Sequence, residues 1–202
     1  MAHPHPSKER SFVILKPDTV QRSLIGEIIQ RFERVGLKIT HLSFKVLDQK
    51  RVNEHYGKQD EWYLRKGQGI IDDRTAHGLP IEKDALEYGK DIIRVVEKYM
   101  ISGPVVVMVL QGNQAVAVVK KLVGSTEPTT SDVGTIRGDY TLDSYSVSAL
   151  DDRGIRNLIH CSDSPEEAER EIQLWLKPEE LLNYRVVQEQ ILYDVNLDGI
   201  LE

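Results

Sequence analysis

The longest unbroken apolar run of the chain is Val105–Leu110, with the sequence VVVMVL. A run of this length and composition predicts a buried strand. A second apolar run, Phe12–Leu15, ends at Lys16-Pro17, where proline removes the backbone donor that a strand needs. We therefore expect two buried strands, with Lys16 at the carboxyl end of one of them. Ligands commonly meet a sheet at that edge.

Apolar residues at helical spacing surround these strands. Residues 25–35 predict a helix that Gly36 ends, and residues 37–46 predict another strand with one irregularity near His41. Asp48 is expected to cap a short helix that ends at Tyr56. Residues 116–122 predict a further helix, which Gly124 ends. Strands and helices alternate, which favours an α/β layer fold and leaves the strand directions open.

Two polar segments interrupt this alternation. We interpret residues 62–96 as a helical excursion, with a second helical pattern from Ile81 onward, because the segment is too short for a core of its own. Residues 143–153 are expected to form a polar loop, and Ile155–His160 a strand. Ser164-Pro165 then predicts a clear helix start, since serine caps helices and proline suits their first position.

We expect one domain at residues 11–193, with insertions near 62–96 and 143–153, between two tails at 1–10 and 194–202. Two His-Pro pairs lie in residues 1–10, which we interpret as disordered and not as a metal site. Asp194–Gly199 (DVNLDG) matches the first half of an EF-hand loop. The carboxylate due at the twelfth position would fall beyond Glu202, so a docked tail is favoured over calcium binding.

Composition excludes several classes of protein. The chain of 202 residues is 40% hydrophobic and carries 26 basic against 32 acidic residues, a net charge of −6. General nucleic-acid binding is therefore disfavoured, while a small anionic ligand is compatible with a local basic pocket. No apolar run approaches the roughly 20 residues of a membrane span. With a single cysteine, Cys161, and no apolar secretory signal at the start, we expect a cytoplasmic protein without a membrane partner.

Reactive side chains cluster in four stretches of the sequence. Lysine, arginine and threonine donate to phosphate oxygens, and a histidine at the end of a strand can itself accept a phosphoryl group. This combination suits phosphoryl transfer, although each residue taken singly also fits an ordinary structural role. The stretches are Lys16–Asp18, His55-Tyr56, Gly124–Asp139 and Asn157–Ser164.

Motifs of other site types are incomplete. Neither Gly57-Lys58 nor Gly89-Lys90 is followed by the serine or threonine of a phosphate-binding P-loop. No HExxH, no pair of cysteines and no GxSxG around Ser162 occurs in the sequence. A Walker-type ATPase, a zinc site and a hydrolase triad are therefore disfavoured.

Five blocks follow one another along the chain: Lys16–Arg22 (KPDTVQR), His55-Tyr56, Ser102–Pro104 (SGP), Gly134–Asp139 (GTIRGD) and Arg156–Ser164 (RNLIHCSDS). In this order they resemble the nucleoside diphosphate kinase family, over roughly residues 10–193 outside the two insertions. The resemblance implies an α/β (α+β) fold, a ferredoxin-like sandwich whose four-stranded antiparallel sheet is covered by helices, plus a helical insertion. It also implies a homo-oligomer (tetramer or hexamer), Mg²⁺, and ATP and other nucleoside tri- and diphosphates as substrates.

The resemblance assigns roles by position. His160 matches the nucleophile that becomes a phosphohistidine in a ping-pong transfer of the γ-phosphate, and Glu171 matches the carboxylate that orients it, with Ser162 able to assist. No protein side chain is expected to bind the metal, which the nucleotide phosphates would carry. The predicted nucleotide contacts are Lys16, Tyr56, Leu64, Lys120, Thr126, Arg137 and Asn157, of which Lys16 and Tyr56 are also expected to act in catalysis.

The sequence departs from the family pattern at three places. Lys120 stands where the family has a phosphate-contacting arginine, so a weaker grip on the β-phosphate is expected. Cys161 follows His160 where glycine is usual, and is either a small buried hydrophobe or an oxidation-sensitive switch. Trp62 and Tyr63 are equal candidates for the aromatic residue that stacks on the base, and the excursion around them is either a lid, a flap or an oligomer contact.

Two other functions stay open. A protein histidine phosphotransferase would share the first half-reaction and pass the phosphoryl group to another protein. A catalytically silent, nucleotide-binding interaction module would use the insertions as its docking surface, but it has no need of the nucleophile His160.

Overall fold

The computed structural model describes residues 6–193, built around a four-stranded antiparallel sheet with the strand order β2-β3-β1-β4. The strands are β1 (Glu9–Leu15), β2 (Lys38–Lys45), β3 (Val105–Gly112) and β4 (Ile159–Cys161). The helices are α1 (Pro17–Gln21), α2 (Ile25–Arg34), α3 (Gln49–Tyr56), α4 (Asp60–Ala76), α5 (Ala85–Met100), α6 (Ala115–Val123), α7 (Ile136–Tyr140), α8 (Tyr145–Leu150), α9 (Pro165–Trp175) and α10 (Val187–Tyr193). The predicted antiparallel sheet covered by helices is confirmed.

The two faces of the sheet bury separate cores, because successive side chains of a strand point to opposite faces. On one face, Val13 and Leu15 of β1 pack in a cluster with Phe32 of α2 and Val119 of α6. The residues of the opposite face include Phe12 and Ile14 of β1, Val107 of β3, Val52 of α3, and Ile172 and Trp175 of α9. Helices α3 and α9 therefore pack on the same face of the sheet, against Phe12 and Ile14 of β1.

The structure confirms the predicted irregularity in β2 and the predicted start of α3, but β1 starts earlier than predicted. The register of β2 against β3 shifts between Ile39 and His41, where the irregularity was predicted. Asp48 caps α3 by accepting from the backbone of Arg51 at 2.9 Å. Glu9 and Arg10, predicted to be part of a tail, instead belong to β1, because their backbones pair with the end of β3. The histidines of both His-Pro pairs, His3 and His5, and the Asp194–Gly199 motif lie outside the described residues.

The strand predicted at Ile155–His160 is wrong in extent, since β4 covers only Ile159–Cys161. Leu158 has a left-handed φ of +68°, which interrupts an extended strand. Its N–H donates to Asp18 Oδ2 at 3.1 Å, and its carbonyl accepts from Thr19 Oγ1 at 2.6 Å. The first turn of α1 therefore binds the backbone that a longer β4 would have used.

The loop predicted at residues 143–153 is also wrong, because it contains α8. Ser144 caps this helix, and its hydroxyl accepts from the N–H of Val147. Arg153 closes the segment by donating to both carboxylate oxygens of Asp143, at 2.6 and 2.9 Å. Side chains at the two ends of the segment thus supply the hydrogen bonds that stabilise one short helical turn between them.

The helical excursion is a pair of close helices. A Cβ atom on Gly67 of α4 would lie 1.7 Å from the carbonyl oxygen of Ala85, and one on Gly89 of α5 would lie 2.1 Å from that of Tyr63. The second helix starts at Ala85, with Asp84 as its cap, and not at Ile81 as predicted. Within residues 6–193, no helix has both the length and the apolar character needed to cross a membrane.

Candidate active site

His160 lies on β4 with one-fifth of its side chain exposed, and a carboxylate of α9 holds its ring. Its Nε2 is 2.8 Å from Oε1 of the buried Glu171, whose Oε2 accepts from Ser162 Oγ at 2.5 Å. Because a carboxylate accepts, His160 carries its proton on Nε2 and leaves the lone pair on Nδ1. Burial, Lys16 and Arg137 lower the pKa of His160 to about 3, so the imidazole is neutral at neutral pH.

A network of buried polar side chains surrounds Asn157, in the loop before β4. Lys16 Nζ donates to Asn157 Oδ1 at 2.7 Å, and Asn157 Nδ2 donates to the carbonyl of Thr126 at 2.8 Å. Arg137 Nε donates to the carbonyl of Asn157 at 3.0 Å. The end of β1, the loop after α6 and the start of α7 are thereby fixed to one another beside β4.

The two cations of this network have neutral partners. The guanidinium of Arg137 donates to the carbonyls of Gly124, Ser125 and Ile159 as well as Asn157. Among the described residues, no carboxylate forms an ion pair with Arg137 or Lys16. Burial, followed by the charge of Arg137, lowers the pKa of Lys16 to about 7, and burial lowers that of Arg137. An anion that entered the site would relieve this excess of positive charge.

Tyr56 offers a buried hydroxyl next to His160. The two ring centroids are 5.7 Å apart in an edge-on arrangement, and Tyr56 Oη has no hydrogen-bond partner among residues 6–193. Burial raises the pKa of Tyr56, so the hydroxyl stays protonated and can donate. A buried, unpaired donor is costly, and an oxygen of a bound ligand would satisfy it.

The side chains of the other predicted contact residues lie outside this network. Lys120 Nζ pairs with Asp163 Oδ1 at 2.8 Å on the surface, and Leu64 of α4 is 48% exposed. The side chain of Thr126 is exposed, while its carbonyl contacts Asn157. Trp62 and Tyr63 contact each other with ring centroids 5.6 Å apart. Stacking of one of these two side chains on a base stays a prediction, and the choice between them stays open.

Cys161 has the environment of a packing residue. Its side chain is partly buried against the core, and burial raises the pKa of the thiol to about 11. The thiolate is the reactive form of cysteine, and a raised pKa leaves little of it at neutral pH. The structure favours the small buried hydrophobe over the oxidation-sensitive switch.

His55 and Trp175 belong to the same cluster, although no role was predicted for either. Trp175 Nε1 donates to His55 Nδ1 at 3.0 Å, and the ring centroids of His55 and His160 are 4.5 Å apart. In the sequence, His55 stood out as part of the reactive pair His55-Tyr56, but no role was assigned to it. Its partners come from α9 and β4, more than 100 positions away, so no local pattern could have indicated them.

His55, His160 and Glu171 each place one possible metal-ligand atom within 4.8 Å of the others. Trp175 can only donate, so His55 Nδ1 accepts and the proton of neutral His55 sits on Nε2. A metal on that nitrogen would have to displace the proton. The trio is therefore poorly suited to a metal, and the absence of protein ligands to a metal stays a prediction.

The site combines an imidazole that has one free ring nitrogen, a carboxylate that accepts from its other nitrogen, and two buried cations without carboxylate partners. This combination is typical of an enzyme of the phosphotransferase class. The sequence profile described as "Nucleoside diphosphate kinase" matches residues 9–65 and 85–181. The chain therefore belongs to the nucleoside diphosphate kinase family. The family and enzyme class predicted from the sequence are confirmed.

Individual relatives agree. The nucleoside diphosphate kinase of Pyrobaculum aerophilum is 47% identical, over 86% of this chain and 98% of that protein. A crystal structure of an NDP kinase from the same organism has a TM-score of 0.81 and 45% identity, covering 87% of this chain and 100% of that one. The enzyme of Borrelia burgdorferi, solved as a transition-state mimic with vanadate and ADP, has a TM-score of 0.72 and 32% identity. The match covers 90% of this chain and 94% of that one.

Proposed function

We propose that this chain transfers the γ-phosphoryl group of a nucleoside triphosphate such as ATP to a nucleoside diphosphate, in a ping-pong reaction through a phosphohistidine at His160. The observation that carries the proposal is the state of the His160 ring. Its Nε2 is held by Glu171, so the free nitrogen, Nδ1, is the one that can attack. Neutral imidazole is a nucleophile at neutral pH without the loss of a proton.

The phosphoryl group moves to His160 in the first half-reaction and to the acceptor in the second. The Nδ1 lone pair forms a bond to the γ-phosphorus while the bond to the bridging oxygen breaks, and that electron pair leaves with the diphosphate. The terminal oxygen of a second diphosphate then attacks the phosphorus, and the N–P electron pair returns to Nδ1. The proton on Nε2 stays between His160 and Glu171 throughout.

The cations and hydroxyls around His160 would bind the phosphates. Lys16 and Arg137 stabilise negative charge on the transferred group, and the unpaired hydroxyl of Tyr56 donates to it. Asn157, which is tied to Lys16, would contact ribose and phosphate. Thr126, Lys120 and Leu64 are proposed as further nucleotide contacts, and Lys120 would have to leave Asp163 to take part.

Glu171 and Asp18, two buried carboxylates of the site, already have hydrogen-bond partners. Mg²⁺ requires oxygen ligands, but the carboxylate of Glu171 is occupied by His160 and Ser162, and that of Asp18 by the backbones of Leu158 and Thr19. We propose that Mg²⁺ arrives with the nucleotide and neutralises phosphate charge there. We assign it no protein ligand.

The edge strand β2 supports the proposed homo-oligomer. Leu42 and Phe44 of this strand are 52% and 63% exposed, although apolar residues of this size usually pack against other surfaces. The choice between tetramer and hexamer needs a mass measurement in solution. A cytoplasmic location, which fits the single cysteine, belongs to the same proposal.

We further propose one domain that runs from β1 to residue 193, with insertions near 62–96 and 143–153. The family profile leaves out residues 66–84, which lie inside the first of these.

The test is phosphorylation with γ-labelled ATP and Mg²⁺, followed by a chase with GDP. We expect acid-labile, base-stable label that leaves as GTP, no label on His160→Ala, and normal label on His77→Ala, which removes an exposed histidine of the region around α4. Label that GDP does not remove would point to a protein acceptor. Bound nucleotide without label would point to a silent module.

Base selectivity gives a second readout. The proposed chemistry uses only the polyphosphate and the ribose, so ATP, GTP, CTP and UTP should give similar kcat/KM values. A large preference for ATP would contradict this.

A further inference from the structure

Three side chains besides His160 form a chain of polar contacts behind the nucleophile. Trp175 Nε1 donates to His55 Nδ1 at 3.0 Å, His55 Nε2 lies 3.5 Å from Glu171 Oε1, and Glu171 Oε1 lies 2.8 Å from His160 Nε2. Two histidine rings from different elements therefore face the same carboxylate oxygen.

Trp175 determines which nitrogen of His55 carries the proton. The indole N–H has no acceptor capacity, so His55 Nδ1 must accept and His55 Nε2 must be protonated. Burial lowers the pKa of His55 to about 2, so the ring does not take up a second proton at neutral pH. His55 thus presents a fixed, neutral N–H donor to Glu171.

This N–H donor has no acceptor among the described residues. His55 is 2% exposed, and its Nε2, which lies 3.5 Å from Glu171 Oε1, has no hydrogen bond among residues 6–193. A buried N–H without an acceptor costs free energy. A small movement of the carboxylate toward His55 would satisfy it.

We propose that His55 is a positioning residue for phosphoryl transfer, held in its Nε2-protonated form by Trp175 and acting as the second N–H donor to Glu171 Oε1. This inference rests on the function proposed above. When His160 is phosphorylated on Nδ1, its ring becomes cationic in character and Glu171 must stay ionised to balance it. A second N–H on Oε1 keeps the carboxylate ionised and aligned, because hydrogen bonds to a charged form favour that form.

Several other groups act on the same carboxylate. Burial raises the pKa of Glu171, while His55 and the hydroxyl of Ser162 lower it. The titratable and charged groups that face Glu171 are Glu167 and Arg170 on its own helix, His55 and Tyr56 from α3, and His160 and Cys161 from β4. The variants below change only the α3 contribution.

The matched variants are His55→Phe, which keeps a flat ring and removes the donor, and His55→Gln, whose amide N–H can take the place of Nε2–H. The measurement is the single-turnover rate of His160 phosphorylation as a function of pH. For His55→Phe we expect a loss of roughly 3- to 10-fold, the value of about one hydrogen bond, with an acidic limb moved to higher pH. His55→Gln should recover most of the rate and the wild-type limb.

A merely structural role gives a different result. It would lower the rate of a folded His55→Phe variant equally at every pH, and that outcome would overturn the proposal. Absence of label on the wild type would overturn the proposed function as well, whereas labelled wild type with an unchanged limb in His55→Phe would overturn only the role of His55.

Nitrogen NMR of the histidine side chains tests the proposal without any reaction. We expect the Nε2-protonated form for His55 in the wild type, and a mixture of both neutral forms in Trp175→Phe, which leaves His55 in place but removes its donor. The Nδ1-protonated form in the wild type would overturn the proposal even where the phenylalanine variant of His55 fails to fold.

Discussion

Lys16 Nζ donates to Asn157 Oδ1 at 2.7 Å across 141 positions of sequence, in the interior of the protein. An amide stabilises a lysine without neutralising its charge, whereas a carboxylate would cancel it. The contact joins the end of β1 to the loop before β4 and keeps a buried positive charge beside His160. The cost of burying that charge is visible in the pKa of Lys16, lowered to about 7.

Nucleotide affinity should fall as the pH rises through about 7, because Lys16 loses its proton there. The dissociation constant of ADP, measured by calorimetry at fixed Mg²⁺, is expected to rise by up to about tenfold per pH unit above this value. Binding should also take up protons in the same range, since bound phosphate favours protonated Lys16. Lys16→Met should bind weakly with little dependence on pH, and equal pH dependence in both proteins would contradict the assignment.

The protein should lose stability as the pH falls below about 6.5. Burial lowers the pKa of His160 from 6.5 to about 3 and that of His55 to about 2, so the unfolded chain binds more protons in this range. Stability from the two neutral rings is therefore complete above 6.5 and is lost progressively in acid. Urea unfolding of His160→Ala should show a smaller acid loss than the wild type. An identical acid loss would show that the ring is not kept neutral by folding.

Two glycines of α4 should respond in opposite ways to alanine. Gly67→Ala would place a methyl group against the backbone of Ala85, and we expect a loss of about 1–3 kcal/mol in the free energy of unfolding. Nothing lies within 4 Å of a Cβ on Gly69, so Gly69→Ala should gain about 0.5–1 kcal/mol from helix propensity. Thermal unfolding measures both. Equal effects of the two substitutions would mean that α4 does not pack against α5 through Gly67.

Mild peroxide should leave phosphotransfer unchanged. Burial raises the pKa of the Cys161 thiol to about 11, which leaves almost no thiolate at neutral pH. Alkylation by iodoacetamide is expected to be slow in the folded protein and fast in urea, and Cys161→Ala should retain activity within about twofold. Rapid modification of the native thiol, with loss of activity in the wild type but not in Cys161→Ala, would instead support an oxidation-sensitive switch at Cys161.

Features set by neighbouring residues could be predicted from the sequence. The apolar run Val105–Leu110 indicated β3, Asp48 indicated the start of α3, and Ser164 that of α9. The approach of Glu171 to His160 followed from the family resemblance and agrees with the structure. Each depends on periodicity, on a capping side chain or on a motif that is complete within a few residues.

Features set by distant residues could not be predicted from the sequence. Asp18 and Thr19 bind the backbone of Leu158 and so make β4 start later than predicted, and the exposure of Cys161 depends on what packs around it. The protonation of His55 depends on Trp175, which is 120 positions away. The sequence by itself therefore determined where most of the strands and helices form and which side chains are candidates for the chemistry. Only the tertiary structure decided which hydrogen-bond partners those side chains have, because hydrogen bonds act over about 3 Å and partners far apart in sequence meet only in the folded chain.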